Sequence, residues 1–360
     1  MKTRRCGAQF KPSNTHAFST PAAILFRHAG ENLRLIAPVN SVICASVILG
    51  FAIFTGIAMC GSRNHSLAGV EKVMGPLPRI NHRAPLDIHV LEETRLEHYL
   101  RKKITFSPEP HIIVYAWLLI PYGAHHAPAA LCLHQTTAIG KDEPAGIGGK
   151  PNLHYAHELA LRGYVALAPD YPSFGDDKTN FQTEVYARGY KSGSMKGIVN
   201  HTRAVDLLQS LPEVDKQRIA AIGHSLGGHN ALFLAAFDRR IRAVVTSCGF
   251  TSMARYYGGD LKGWTSDRYM PLISTLYHNS AKNLPFDFTD ILDAIAPRAV
   301  FVNAPLHDSN FDVSGVDETV AKVKSNFPAG RLVVIHPDCG HDFPSEVREQ
   351  AYEFLDKQLR

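Results

Sequence analysis

The chain has 360 residues, 45% hydrophobic and 20% charged, which excludes a disordered or repeat protein and leaves room for one large domain with a sizeable core. The formal charge of +5 is modest, and Lys2, Arg4, Arg5, Lys11, Arg27 and Arg34 supply much of it ahead of residue 35. The rest of the chain is close to neutral, which argues against a nucleic-acid surface, since that needs a clustered basic face.

Behind the basic stretch lies an uncharged apolar run from Val42 to Cys60, long enough to span a bilayer and without helical alternation. Such a run is expected to be a signal peptide or an uncleaved anchor, and either places the rest of the chain outside the cytoplasm, secreted or membrane-anchored. Ile57-Ala58-Met59-Cys60 approximates a lipobox, with Met59 in place of the usual small residue. Residues 1–61 are therefore read as a basic segment with a signal or anchor, 62–97 as linker and N-terminal extension, and 98–360 as the main folded domain.

Within that domain, short apolar runs alternate with helical patterns, as in a mostly parallel sheet covered by helices on both faces. The expected strands are His111–Ile120, Ala129–Leu133, Tyr164–Ala168, Arg218–Ile222, Arg242–Thr246, Ala299–Asn303 and Arg331–Ile335, with 102–106 pairing with the first as an edge hairpin. Helices are expected near 153–162, 197–211, 228–237, 315–326 and 345–358. An insertion over about 250–297, rich in aromatics such as Tyr256, Tyr257, Trp264, Tyr269 and Tyr277, is a candidate lid or pocket wall. Asp287, Asp290 and Asp293 recur at helical spacing, which reads as a solvated helix face.

Of six cysteines, Cys6, Cys44 and Cys60 precede the domain. Cys132 and Cys248 fall in or beside buried strands and read as small hydrophobes, and Cys339 stands alone. No Cys-x-x-Cys pair suggests zinc. His125-His126 has no second pair at ligand spacing, and Gly146–Lys150 has Pro144 and Pro151 where a phosphate loop needs glycine and Ser/Thr. No metal or cofactor is expected.

The chemistry concentrates at Gly223-His224-Ser225-Leu226-Gly227, a G-x-S-x-G turn between an expected buried strand and a helix. Such a turn exposes a strained serine, and the helix after it aims free N–H groups at the serine oxygen. A serine needs a histidine base oriented by a carboxylate. His341 follows the last strand. Asp308 follows the strand before it, with Asp312 as the alternative and Asp338 and Asp342 read as surface residues. The Leu226 N–H is one expected oxyanion donor, and the second is the N–H of either Gln135 or Thr136, after the 129–133 strand.

These motifs, together with Leu133-His-Gln-Thr-Thr137, Ala168-Pro-Asp-Tyr-Pro-Ser-Phe-Gly175, Ala304-Pro-Leu-His-Asp-Ser-Asn-Phe311 and Gly340-His341, resemble the dienelactone hydrolase and acetyl xylan esterase-like branch of the α/β-hydrolases over residues 98–360. That branch borders the catalytic domain of prolyl oligopeptidases. Dienelactone hydrolases carry a cysteine where this chain has Ser225. The resemblance implies an α/β-hydrolase fold and cleavage of acyl or acetyl esters of small molecules or carbohydrates. The alternatives are a prolyl oligopeptidase-like peptidase, for which the chain leaves no room for a propeller, and a membrane-tethered binding module without activity.

Overall fold

The computed structural model describes residues 67–360, so the apolar run at 42–60 and its signal, anchor or lipidation reading lie outside the described residues. No helix among the described residues is long and apolar enough to cross a membrane. The frame is a single nine-stranded sheet: β1 (His89–Arg95), β2 (Tyr99–Phe106), β3 (Val114–Pro121), β4 (Ala127–Leu133), β5 (Val165–Pro169), β6 (Val214–His224), β7 (Ile241–Ser247), β8 (Ala299–Asn303) and β9 (Leu332–Ile335). Their order across the sheet is β1-β2-β3-β5-β4-β6-β7-β8-β9. β1, β2, β3 and β5 pair antiparallel in turn; every pairing from β5 to β9 is parallel.

The period of two along each strand divides the core in two. Ile104, Leu131, Ile219, Ala221, Val244 and Val300 face one cluster, while Leu119, Ala130, Ala220, Ile222, Val245 and Phe301 face the other. Both faces are covered by helices, so the central strands are continuously apolar rather than alternating. The second cluster lies under α1 (Tyr155–Leu161) at one end of the chain order and α6 (Ser345–Gln358) at the other; the first lies under α2 (Gly193–Ser210), α3 (Leu226–Phe237), α4 (Phe288–Ile295) and α5 (Val313–Val323).

Three expectations need correction. The 102–106 segment does pair with β3, but the outer edge of the sheet is β1, which comes from the stretch read as linker. Its exposed faces hide the strand signal, because neither is apolar throughout. Residues 67–74 of the same stretch are helical, and Val70, Val73 and Met74 are fully buried in the core. Finally, Asp287 and Asp290 do not decorate a solvated face. Asp287 caps α4, accepting from the Phe288 and Met253 N–H groups at 2.7 and 3.0 Å, and Asp290 accepts from the Asp287 N–H at 2.9 Å to complete a capping box. Asp293 accepts from Asn326 at 2.8 Å.

Candidate active site

β6 runs between β4 and β7 and pairs Gly223 with Leu133 on one side and with Thr246 on the other. Two residues later the chain reverses into α3 through Ser225, at φ 55° and ψ −117°. A non-glycine residue held there stores strain, on the order of 1–3 kcal/mol, which the surrounding packing must maintain. The flanking glycines answer a need for space. A Cβ at Gly223 would lie 2.3 Å from the Gly227 carbonyl, and one at Gly227 would lie 1.8 Å from the Leu133 oxygen. The Ser225 N–H donates to the Ser247 carbonyl at 2.8 Å, tying the turn to β7. As the first residue of α3, Leu226 has an N–H with no acceptor inside the helix.

Asp308 sits in the loop after β8 with its side chain wholly buried. One carboxylate oxygen accepts from the Asn310 and Phe311 N–H groups at 2.8 and 3.1 Å, and the other accepts from His341 Nδ1 at 2.8 Å. Burial pushes this carboxyl up. The His341 hydrogen bond and charge, with the two backbone donors, outweigh it and hold the group below the usual carboxylate range. The His341 ring stacks on Phe311 at 6.0 Å and meets the edge of His224 at 4.7 Å.

Behind His341, the ends of three strands form a buried polar brace. Asn303 Nδ2 donates to Ser247 Oγ at 2.8 Å and to the Asp342 carbonyl at 2.9 Å, and His224 Nδ1 lies 2.9 Å from the same Ser247 Oγ. The other carboxylates near the site are engaged elsewhere. Asp312 caps α5 through the Ser314 N–H at 2.8 Å, Asp338 lies 2.7 Å from His307, and Asp342 accepts from Asn152 at 2.7 Å.

Gln135 and Thr136 line the same cavity as Ser225, Leu226 and His341, of about 330 Å³. Their loop is clamped from beneath by the buried His134. The Tyr171 N–H donates to its Nε2 at 2.9 Å, so Nδ1 carries the proton and donates to the Gln135 carbonyl at 2.6 Å. Burial holds the His134 imidazole down to about 4, which suits this neutral form. The Gln135 amide donates to both Glu143 oxygens at 3.1 and 2.9 Å, so its side chain is committed to the loop. This clamp gives a physical role to two motifs that carry only a resemblance in the sequence, around His134 and around Tyr171. Nothing in the sequence singles out His134, because its two partners are distant or backbone atoms.

The 250–297 insertion supplies Tyr256, Tyr257, Gly263, Trp264 and Tyr269 to the cavity, whereas Tyr277 packs into the core. His229, one turn into α3, also lines it, and no sequence motif points to it. For metals, His224, Cys248 and His341 each bring one donor atom within 4.8 Å of the others. Burial, then the Asp308 charge, pushes the Cys248 thiol up, and the thiol donates to the Asp342 carbonyl at 3.4 Å.

A mostly parallel sheet with a strained serine between β6 and α3, and a hydrogen-bonded Asp–His pair carried by loops after β8 and β9, defines the α/β-hydrolase class. The prolyl oligopeptidase family profile matches residues 152–360, and the chain belongs to that family. It is 28% identical over 212 residues to "Putative hydrolase YtaP" of Bacillus subtilis, covering 57% of this chain and 68% of that protein. Its fold is similar to a glucuronoyl esterase from Solibacter usitatus (TM-score 0.65, 18% identity, 83% of this chain and 92% of that one). It is also similar to an acetyl xylan esterase from Paenibacillus sp. R4 (TM-score 0.58, 20% identity, 77% and 90%).

Proposed function

We propose that the protein is a serine hydrolase that cleaves carboxylic esters through an acyl-enzyme. The observation that carries the reading is the strained Ser225 opening into the cavity lined by His341, whose Nδ1 is engaged by the buried Asp308. Ser225 Oγ attacks the ester carbonyl while His341 Nε2 takes its proton. Asp308 accepts from Nδ1, which selects the tautomer that leaves Nε2 free and stabilises the imidazolium as it forms. The Leu226 N–H and the N–H of Gln135 or Thr136 receive the oxyanion. His341 then protonates the leaving alcohol, and water attacking the acyl-enzyme repeats the cycle.

The choice of ester over amide draws on the likeness to esterase folds and on the sequence motifs. Family membership favours a second reading, a peptidase with the same residues in the same roles. Fluorophosphonate labelling followed by a panel of matched esters and amides separates the possibilities. Labelling at Ser225, its loss in Ser225→Ala with a thousand-fold or so drop in hydrolysis, and ester turnover far above amide turnover are expected. Dominant amide turnover would establish the peptidase, and labelling that survives Ser225→Ala would remove Ser225 as nucleophile. Export or anchoring through residues 42–60 remains part of the proposal on sequence grounds.

A further inference from the structure

Two polar atoms in the wall that the insertion builds beside Ser225 stand without a partner, the Trp264 indole N–H, which is shut off from solvent, and the Tyr256 hydroxyl, which is not. Tyr256 is only 8% exposed and is fixed by Trp264 and Phe311, whose ring centroids lie 5.3 and 5.5 Å away. Its hydroxyl makes no hydrogen bond within the described residues, yet it is not among the polar atoms shut off from solvent, and the residue lines the cavity. The neighbouring tyrosines differ. Tyr257 donates to Asn310 Oδ1 at 2.6 Å, and the Tyr269 hydroxyl lies 3.2 Å from Thr136 Oγ1.

The chain keeps space open for this hydroxyl. Gly263 also lines the cavity, and a Cβ there would stand 2.2 Å from the Tyr256 oxygen. Residue 263 is not among the glycines with positive φ, so close approach to Tyr256, not backbone conformation, explains the glycine. No Lys, Arg, Asp or Glu lines the cavity among the described residues. A fully aliphatic group seated against this wall would bury the hydroxyl unpaired, which is the costly outcome for a polar atom.

We infer that the Tyr256 hydroxyl donates a hydrogen bond to the substrate, and that the substrate carries a neutral accepting oxygen, a hydroxyl or an ether, in addition to its ester group. The inference rests on the ester reading above. Gly263 acts as a positioning residue by leaving that hydroxyl clear.

The test uses isosteric pairs in two arms on the full chain. In the acyl arm, 4-nitrophenyl methoxyacetate is compared with 4-nitrophenyl butyrate; in the alcohol arm, 2-methoxyethyl acetate is compared with butyl acetate. Taking each substrate's ratio of wild type to Tyr256→Phe cancels differences in intrinsic reactivity. The variant should lose about five- to tenfold in kcat/KM on the ether of one pair, with its hydrocarbon isostere within about twofold. The arm showing the loss locates the accepting oxygen in the acid or the alcohol half. Gly263→Ala should reproduce the same selective loss. Equal ratios within both pairs for Tyr256→Phe, in an enzyme that hydrolyses them, overturn the inference alone. If wild type hydrolyses none of the four and fluorophosphonate leaves Ser225 unlabelled, the ester reading falls and this inference with it.

Discussion

Gly227, in the first turn of α3, lies so close beneath the end of β4 that a Cβ on it would stand 1.8 Å from the Leu133 carbonyl oxygen. This contact sets the start of α3 against the end of β4, from which the loop of Gln135 and Thr136 continues, so backbone packing together with the His134 clamp fixes how the two expected oxyanion donors stand to each other.

Gly227→Ala should therefore act on folding and on rate together. A Cβ 1.8 Å from a backbone oxygen forces the strand and the helix apart, which costs about 3 kcal/mol or more of stability, and an ångström-scale displacement of a catalytic array costs on the order of a hundredfold in rate. Gly330→Ala is the contrast. Gly330 has φ 75°, and a Cβ there would meet no atom within 4 Å, so the change should cost about 1–2 kcal/mol of backbone strain with kcat unchanged. Ester kinetics and denaturant unfolding on both variants check this, and full activity in Gly227→Ala would show that the β4–α3 contact does not set the site.

Asp308 and Asp312 are separated by their partners. Asp308 accepts from His341 and is buried, whereas Asp312 accepts from the Ser314 N–H and hydroxyl at the start of α5. Asp308→Asn keeps the shape but favours the wrong imidazole tautomer, so kcat should fall by up to about ten-thousand-fold, the scale known for serine proteases. Asn caps a helix about as well as Asp, so Asp312→Asn should change stability by less than about 0.5 kcal/mol and kcat by less than about tenfold. Circular dichroism confirms folding. A crippling Asp312→Asn beside a mild Asp308→Asn would reverse the roles.

Acid should destabilise the fold well above the carboxylate range. Burial holds His134 down to about 4 and His201 and His229 down to about 3, and it drives His224 well below the ordinary value of 6.5. These groups are neutral when folded and take up protons on unfolding, so the unfolded state binds more protons. Their contribution is complete above pH 6.5 and is lost as pH falls through the folded values near 4 and 3. Around pH 5 the slope should approach about 1.4 kcal/mol per pH unit for each such histidine. Guanidinium unfolding at about pH 7, 6, 5 and 4 measures it, and a flat profile over that range would mean that these rings are protonated in the folded state.

The division between sequence and tertiary structure follows the range of the forces involved. Strands β3 to β9 and the helices α1, α2, α3, α5 and α6 are legible in the sequence because burial on both sheet faces leaves continuous apolar runs and periodic helices. The turn at Ser225 is legible because its glycines are demanded by contacts within the motif and to β4. Candidates for the His341–Asp308 pair can be drawn from chain order, but their 2.8 Å contact joins residues 33 positions apart and exists only once β8 and β9 lie side by side. The exposed edge strand β1 leaves no period to read, and at α4 the helical spacing of the aspartates is legible but their capping role is not, because acidic caps mimic a solvated face. The His134 clamp, the Asn303–Ser247–His224 brace and the unpartnered Tyr256 hydroxyl belong wholly to the tertiary structure. A hydrogen bond depends on distance and direction between groups far apart in the chain, and hydrophobic periodicity carries neither.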